Sequence, residues 1–304
     1  MKKTYYSNGK LLLTSEYVVL DGALALALPT KFGQNLTIES AHNNVIYWKS
    51  YDADNTVWFT TTISFESIIK KEVSDEIHSV KNTLIEILHQ CYIENPNFIV
   101  NSSGYSITTQ LTFPKKWGLG TSSTLINNLA QWLDINAYKL LQNTFGGSGY
   151  DIACAQNNSA VLYQLINENQ LVETVNFNPD FKDKLFFVYL NKKQNSREAI
   201  AQYQIKQGSI YKEIGLFNAI TQNVLNATHP KEFALELEKH EIELSNILEV
   251  PTIKEIYFDD FNGIIKSLGA WGGDFVLAIS KENPTQYFHE KGFETVIPYQ
   301  EIIL

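Results

Sequence analysis

One segment of the chain has the composition of an anion cradle. Gly118-Leu119-Gly120-Thr121-Ser122-Ser123 stands between a β-prone run and a run of helical period. Glycine lets backbone N–H groups converge without a side chain in the way, and the first amides of a helix, with its dipole, favour an anion. The hydroxyls of Thr121, Ser122 and Ser123 suit phosphate oxygens or a hard cation such as Mg2+. The same residues also make an ordinary loop with a Ser/Thr helix cap, and on this segment alone both readings stand. Neither a Walker A pattern nor Gly-x-Gly-x-x-Gly is present, so the segment is not that of a P-loop NTPase, a dinucleotide binder or a protein kinase. Two further glycine clusters, Gly146-Gly147-Ser148-Gly149 and Gly269–Gly273, lie far from the first.

The elements around these clusters are mixed. Lys10–Val19 reads as a strand ending in the turn Asp21-Gly22. Phe32–Glu39, Val45–Ser50, Val57–Ser64, Phe98–Val100 and Tyr105–Leu111 are β-prone. Residues 78–92 change period, with Val80, Leu84, Ile87, Leu88 and Cys91 on one helical face. The helix opened by the first glycine loop shows Leu125, Leu129, Trp132 and Leu133 as its apolar face. Strands at Ala160–Leu165 and Leu171–Phe177 follow, then the linker candidate Asn178-Pro179-Asp180 and a strand at Leu185–Leu190. Helices are predicted over 210–227 and 231–249, the second with a stripe of Phe233, Leu237, His240, Leu244 and Ile247 opposite a Glu-rich face read as solvated. A strand is predicted at Phe275–Ile279. The pattern is α+β in two parts, 1–180 and 181–304.

Length and composition agree with this. The chain has 304 residues, 44% hydrophobic and 19% charged, enough for two packed domains. Its formal charge of −9 weighs against nucleic acid or an anionic membrane as partner, because both reward a basic surface. Two cysteines, Cys91 and Cys154, make no disulfide framework, and no Cys/His spacing suggests zinc. The start, Met1-Lys2-Lys3-Thr4-Tyr5, lacks the apolar core of a secretion signal, and the longest apolar stretch, Ala23–Leu28, is too short to span a bilayer. A cytoplasmic enzyme, monomer or homodimer, is expected.

Three motifs, in order along the chain, resemble those of the GHMP kinases (galactokinase, homoserine kinase, mevalonate kinase, phosphomevalonate kinase). Gly9-Lys10-Leu11-Leu12-Leu13-Thr14-Ser15-Glu16-Tyr17 looks like the first, Gly-Lys-x-x-x-x-Gly-Glu-[His/Tyr]. Pro114 with Gly118–Ser123 resembles the second, Pro-x-x-x-Gly-Leu-Gly-Ser-Ser. Leu268-Gly269-Ala270-Trp271-Gly272-Gly273-Asp274 is similar to the third, Ser-Gly-Ala-Gly-Gly-Gly. Ser15, Thr121 and Trp271 depart from it. The resemblance implies a two-domain fold, an N-terminal domain like ribosomal protein S5 domain 2 and a C-terminal ferredoxin-like domain, with ATP and substrate between them. Lys115-Lys116-Trp117-Gly118-Leu119-Gly120, Gly147-Ser148-Gly149-Tyr150-Asp151-Ile152-Ala153 and Gly272-Gly273-Asp274 look most like phosphomevalonate kinases. No carboxylate occurs in Ile135–Tyr150, where mevalonate kinases carry a second Mg2+ ligand.

What the resemblance implies for single residues can be set beside simpler readings. Asp151 aligns with the catalytic base, a fixed carboxylate that positions the acceptor and takes its proton; otherwise it is a helix cap. Lys10 would place positive charge beside the acceptor and the transferring phosphoryl; otherwise it is a strand-end lysine. Ser122 aligns with the serine that contacts phosphate and Mg2+, with Thr121 and Ser123 beside it and Gly118, Leu119 and Gly120 acting through backbone. Glu16 aligns near the substrate pocket, or is a turn carboxylate. Lys193, Ser196 and Arg197 resemble a segment that reaches an anionic acceptor, where Arg pairs bidentately; they equally make a solvated turn. Gly269, Gly272 and Gly273 would close over the phosphates, with the Trp271 indole narrowing that loop or stacking on a ligand. The histidines, His240 included, read as structural. The expected activity is phosphoryl transfer from ATP to phosphomevalonate, with mevalonate or another small alcohol as the alternative acceptor. A non-catalytic sensor on the same fold is the competing class. An RNA-associated protein conflicts with the acidic balance.

Overall fold

The computed structural model describes residues 2–76, 79–167, 169–192, 201, 203–204 and 213–304. The chain divides into two compact units, one of Met1–Gly9, Phe32–Lys115 and Leu119–Gln156, the other of Lys10–Lys31, Lys116–Gly118 and Asn157–Leu304. It passes from one to the other inside its first two strands, β1 (Lys2–Leu12) and β2 (Ala25–Ser40).

The first unit is a sheet covered by helices. β3 (Val45–Tyr51) pairs antiparallel with β4 (Val57–Ser64) and parallel with β5 (Tyr105–Leu111), and β5 pairs antiparallel with Gln34–Ser40 of β2. Alternating burial along β3 and β5 turns Ile46, Trp48 and Ile107 inward. The helices are α1 (Phe65–Lys70), α2 (Val80–Glu94), α3 (Asn97–Val100), α4 (Thr121–Leu133), α5 (Ala137–Gln142) and α6 (Tyr150–Gln156). Leu84, Leu88 and Cys91 of α2 and Ile126, Leu129 and Leu133 of α4 close the core over the sheet. Both cysteines are buried, and neither is in a disulfide.

The second unit holds β6 (Val161–Ile166) and β7 (Asn169–Thr174), an antiparallel pair whose inner strand joins Ala25–Ala27 of β2. It also holds β8 (Leu185–Tyr189), α7 (Ile214–Asn226), α8 (Pro230–Leu248), α9 (Ile253–Tyr257), β9 (Ile264–Leu268), β10 (Phe275–Ile279), α10 (Thr285–Glu290), β11 (Val296–Pro298) and α11 (Tyr299–Ile302). The sheet order is β11-β8-β10-β9, antiparallel throughout. β8 and β10 are buried at every residue, which explains their unbroken apolar runs. α8 packs on α7 and on β9.

Two expectations need correction. Phe98–Val100 is a helical turn, not a strand. Pro96 starts it, Asn95 Oδ1 accepts from the Asn97 amide, and the Ile99 and Val100 amides close on Pro96 O. A three-residue apolar run cannot show its period, and the preceding Asn-Pro decided the matter. The strand expected over Lys10–Val19 begins earlier and ends at Leu12, because Ser15 and Tyr17 take left-handed φ of 66° and 65° and the chain turns into a short 3-10 turn at Val18–Asp21. No helix among the described residues is long and apolar enough to cross a membrane.

Candidate active site

The first unit carries the phosphate-loop candidate and the proposed base. α4 begins after Gly120, whose φ of 99° a side chain would resist. No side chain caps the helix, so its first-turn amides have no partner within the helix. The three hydroxyls differ. Ser122 is exposed, whereas Ser123 is buried and donates to Gly120 O at 3.0 Å. Thr121 Oγ1 is buried with no hydrogen-bond partner among the described residues.

The helix that carries this loop is pinned by polar side chains as well as by its apolar face. Thr124 Oγ1 donates to Gln34 Oε1 at 3.0 Å and Asn128 Nδ2 to Gln34 O at 2.9 Å, both on β2. On β1, Ser7 Oγ donates to Asn128 Oδ1 and accepts from Asn127 Nδ2, each at 2.8 Å. Such groups are buried at little cost only because each finds its partner. Leu125 and Trp132, expected on the apolar face, are only partly buried, and Ile126 and Ala130 take the inner positions.

Asp151 lies half-buried in the first turn of α6, and its Oδ1 accepts from the Ile152 amide at 3.1 Å. α6 packs on α4, with Gln156 Nε2 donating to Asn127 Oδ1 at 3.0 Å. The hydroxyl loop and the carboxylate therefore start two helices of one packed unit. Asp151 adds to the burial that pushes the Tyr138 phenol up to about 12.

Lys10, Glu16, Gly118 and the third glycine loop belong to the second unit. Lys10 is partly exposed near the end of β1. Gly118 meets Asp274, because a Cβ on Gly118 would lie 2.3 Å from Asp274 Cγ. Asp274 is itself at φ 53°, held by its amide to Lys192 O at 2.7 Å and by its carbonyl to the Leu190 amide at 2.8 Å. The first glycine of one motif and the last residue of another are thus packed together. The Trp271 indole packs against two hydrophobic clusters of this unit, and its Nε1 donates to Pro251 O at 3.2 Å.

Glu16 is buried at 2% exposure and sits in a charge cluster. Lys266 Nζ on β9 donates to Glu16 Oε1 at 2.8 Å and lies 3.5 Å from Glu241 Oε2 on α8. Glu241 in turn accepts from the Ser267 amide at 3.0 Å and from Ser267 Oγ at 2.6 Å. His240 Nε2 accepts from the Ser15 amide at 2.6 Å and is 3.5 Å from Glu16 Oε2. Burial pushes the Glu16 carboxyl up to about 7, with Lys266 opposing. Burial, aided by Lys266, holds the His240 imidazole well below its usual value, so it is neutral and accepts.

Lys266, Glu241 and Tyr17 were not singled out in the sequence. A signal existed for Glu241, which stands four residues after Leu237 on the buried stripe of α8 instead of on a solvated face. None existed for Lys266, since its partners lie 250 and 25 positions away. Lys193, Ser196 and Arg197 lie outside the described residues.

No protein-family model matches the sequence, and no curated protein matches it. Solved structures do match. Streptococcus pneumoniae phosphomevalonate kinase in complex with phosphomevalonate and AMPPNP is similar at TM-score 0.70 and 16% identity, over 97% of this chain and 99% of that one. Methanococcus jannaschii mevalonate kinase is similar at TM-score 0.68 and 14% identity, over 97% and 96%. Lactococcus lactis galactokinase with galactose is similar at TM-score 0.68 and 13% identity, over 95% and 88%. At this identity the likeness speaks for architecture, and the architecture is the two-domain α+β fold of the GHMP kinases.

Proposed function

We propose that this chain is an ATP-dependent kinase of the GHMP type that moves the γ-phosphoryl of ATP onto a small anionic acceptor. The observation that carries this reading is the end-to-end likeness to small-molecule kinases, one of them holding phosphomevalonate and an ATP analogue. It is supported by the uncapped start of α4 beside an exposed serine, and by a half-buried aspartate on the neighbouring helix. In this reading the α4 amides and the backbone of Gly118–Gly120 hold the nucleotide's phosphates. Ser122, with an exposed hard oxygen, would hold a Mg2+ whose charge would offset that of the phosphates. Asp151 positions the acceptor and takes its proton, and Lys10 adds positive charge for the transferring group. Gly269, Gly272 and Gly273 supply the third loop, and Lys193, Ser196 and Arg197 bind the acceptor's anionic groups.

Phosphomevalonate is the acceptor of first choice, giving ADP and diphosphomevalonate, on the strength of the Gly-Gly-Asp ending of the third loop and the missing second carboxylate before Asp151. Purified protein with Mg-ATP is expected to release ADP with phosphomevalonate in an acceptor panel. Release with mevalonate but not phosphomevalonate would move the assignment to a mevalonate kinase. Calorimetric binding of nucleotide or acceptor with no turnover on any member would replace the kinase by a sensor.

A further inference from the structure

We propose that Glu16 and Tyr17 are positioning residues that hold the third glycine loop in shape through Lys266 and the Trp271 amide. The link to nucleotide binding rests on the kinase reading above; the link to loop shape does not.

The loop needs holding. Gly269 and Gly272 have φ of 78° and 82°, conformations open to glycine, and such residues lose much backbone freedom on being fixed. The anchors lie at two points. Lys266, three residues before Gly269, is fully buried and donates to Glu16. Inside the loop, the Trp271 amide donates to Tyr17 Oη at 2.7 Å. The indole of the same residue is wedged between two hydrophobic clusters, so the backbone there is gripped from both sides. Trp271 replaces the small residue of the resembled motif, and this packing gives it an anchoring role.

The gripping turn is itself strained. Ser15 and Tyr17, on either side of Glu16, are non-glycine residues at left-handed φ. Such conformations persist only where the surroundings over-determine them. Here they do: the Ser15 amide is held by His240 Nε2 and Ser15 Oγ by Leu24 O at 2.6 Å. Strain, buried charges and a directed phenol converge on one neighbour, the strand and loop 266–271. A pair of charges this buried gives little net stability over apolar residues of the same size, so its use is better sought in specifying geometry.

Hydrogen exchange on Tyr17→Phe and on the double variant Glu16→Gln/Lys266→Met tests this, alongside calorimetric titration with Mg-ATP. Tyr17→Phe removes one hydroxyl from a ring that stays packed. Amides of 269–273 are expected to exchange about threefold to tenfold faster in each variant, beyond any change they share with β10 and α8. Mg-ATP affinity is expected to fall by a similar factor, with kcat at saturating ATP changed less. Unchanged exchange at 269–273, or a rise spread evenly over β10 and α8, overturns the positioning role. Faster exchange with unchanged Mg-ATP affinity overturns its link to the nucleotide. A wild-type chain that binds no Mg-ATP refutes the kinase reading on its own, before any variant is compared.

Discussion

Asp151 and Glu16, two of the carboxylates in the motif segments of this chain, have opposite surroundings. Asp151 is half-buried at a helix start, with the Ile152 amide on its Oδ1. Glu16 is sealed at 2% exposure, with Lys266 on one oxygen and His240 near the other. A carboxylate that does chemistry must reach a reacting atom, whereas one that shapes a loop must not be drawn off by water or substrate. On the proposed reading Asp151 would be the carboxylate that works and Glu16 the one that holds, and burial is what separates them.

The comparison breaks most sharply at Asp151. Asp151→Asn keeps the shape and the contact to the Ile152 amide but removes the base. Turnover is expected to fall by about 10^2–10^4-fold, with thermal stability and ATP affinity nearly unchanged. Steady-state kinetics with a melting curve checks this, and near-normal turnover would remove Asp151 from the chemistry.

The holder is expected to fail in the other currency, stability. Lys266→Met leaves Glu16 and Glu241 buried without their cation and is expected to destabilise the protein by about 3–5 kcal/mol at pH 8. The loss should be smaller at pH 5, where Glu16 can take up a proton. Denaturant unfolding at the two pH values reads both numbers, and equal losses would mean that the charges at 16 and 266 do not interact.

A smaller effect sharpens the comparison further. The folded Glu16 carboxyl binds its proton up to about pH 7, against an ordinary value of 4.5. Its contribution to stability is therefore fully present below about pH 4.5 and is lost as pH rises through 7. Wild type relative to Glu16→Gln is expected to lose at most about 3 kcal/mol across that window. His240 acts with the opposite sign, since its depressed value costs stability as pH falls below its ordinary 6.5. A flat difference would show that Glu16 is ionised throughout.

Much of this was legible before any coordinates. The β-hairpin of β3 and β4 follows from alternation and turn residues, and α4 and α8 from apolar spacing at three and four residues. The three motif segments, and with them the fold, could be read from short runs because backbone conformation there is locally dictated by glycine and by helix starts. Phe98–Val100 was misread because three residues carry no period.

Composition and local spacing determined which segments fold as strands and helices, and which hydroxyls and carboxylates were candidates for chemistry. Tertiary structure decided which of them are exposed and which are sealed. It turned Ser123 inward to Gly120 while leaving Ser122 exposed, put the Trp271 indole into the hydrophobic clusters, and closed Glu16 onto Lys266, 250 residues away in sequence. The reason is physical: conformational preference acts over a few residues, but desolvation and ion pairing depend on what the rest of the folded chain brings within a few ångströms.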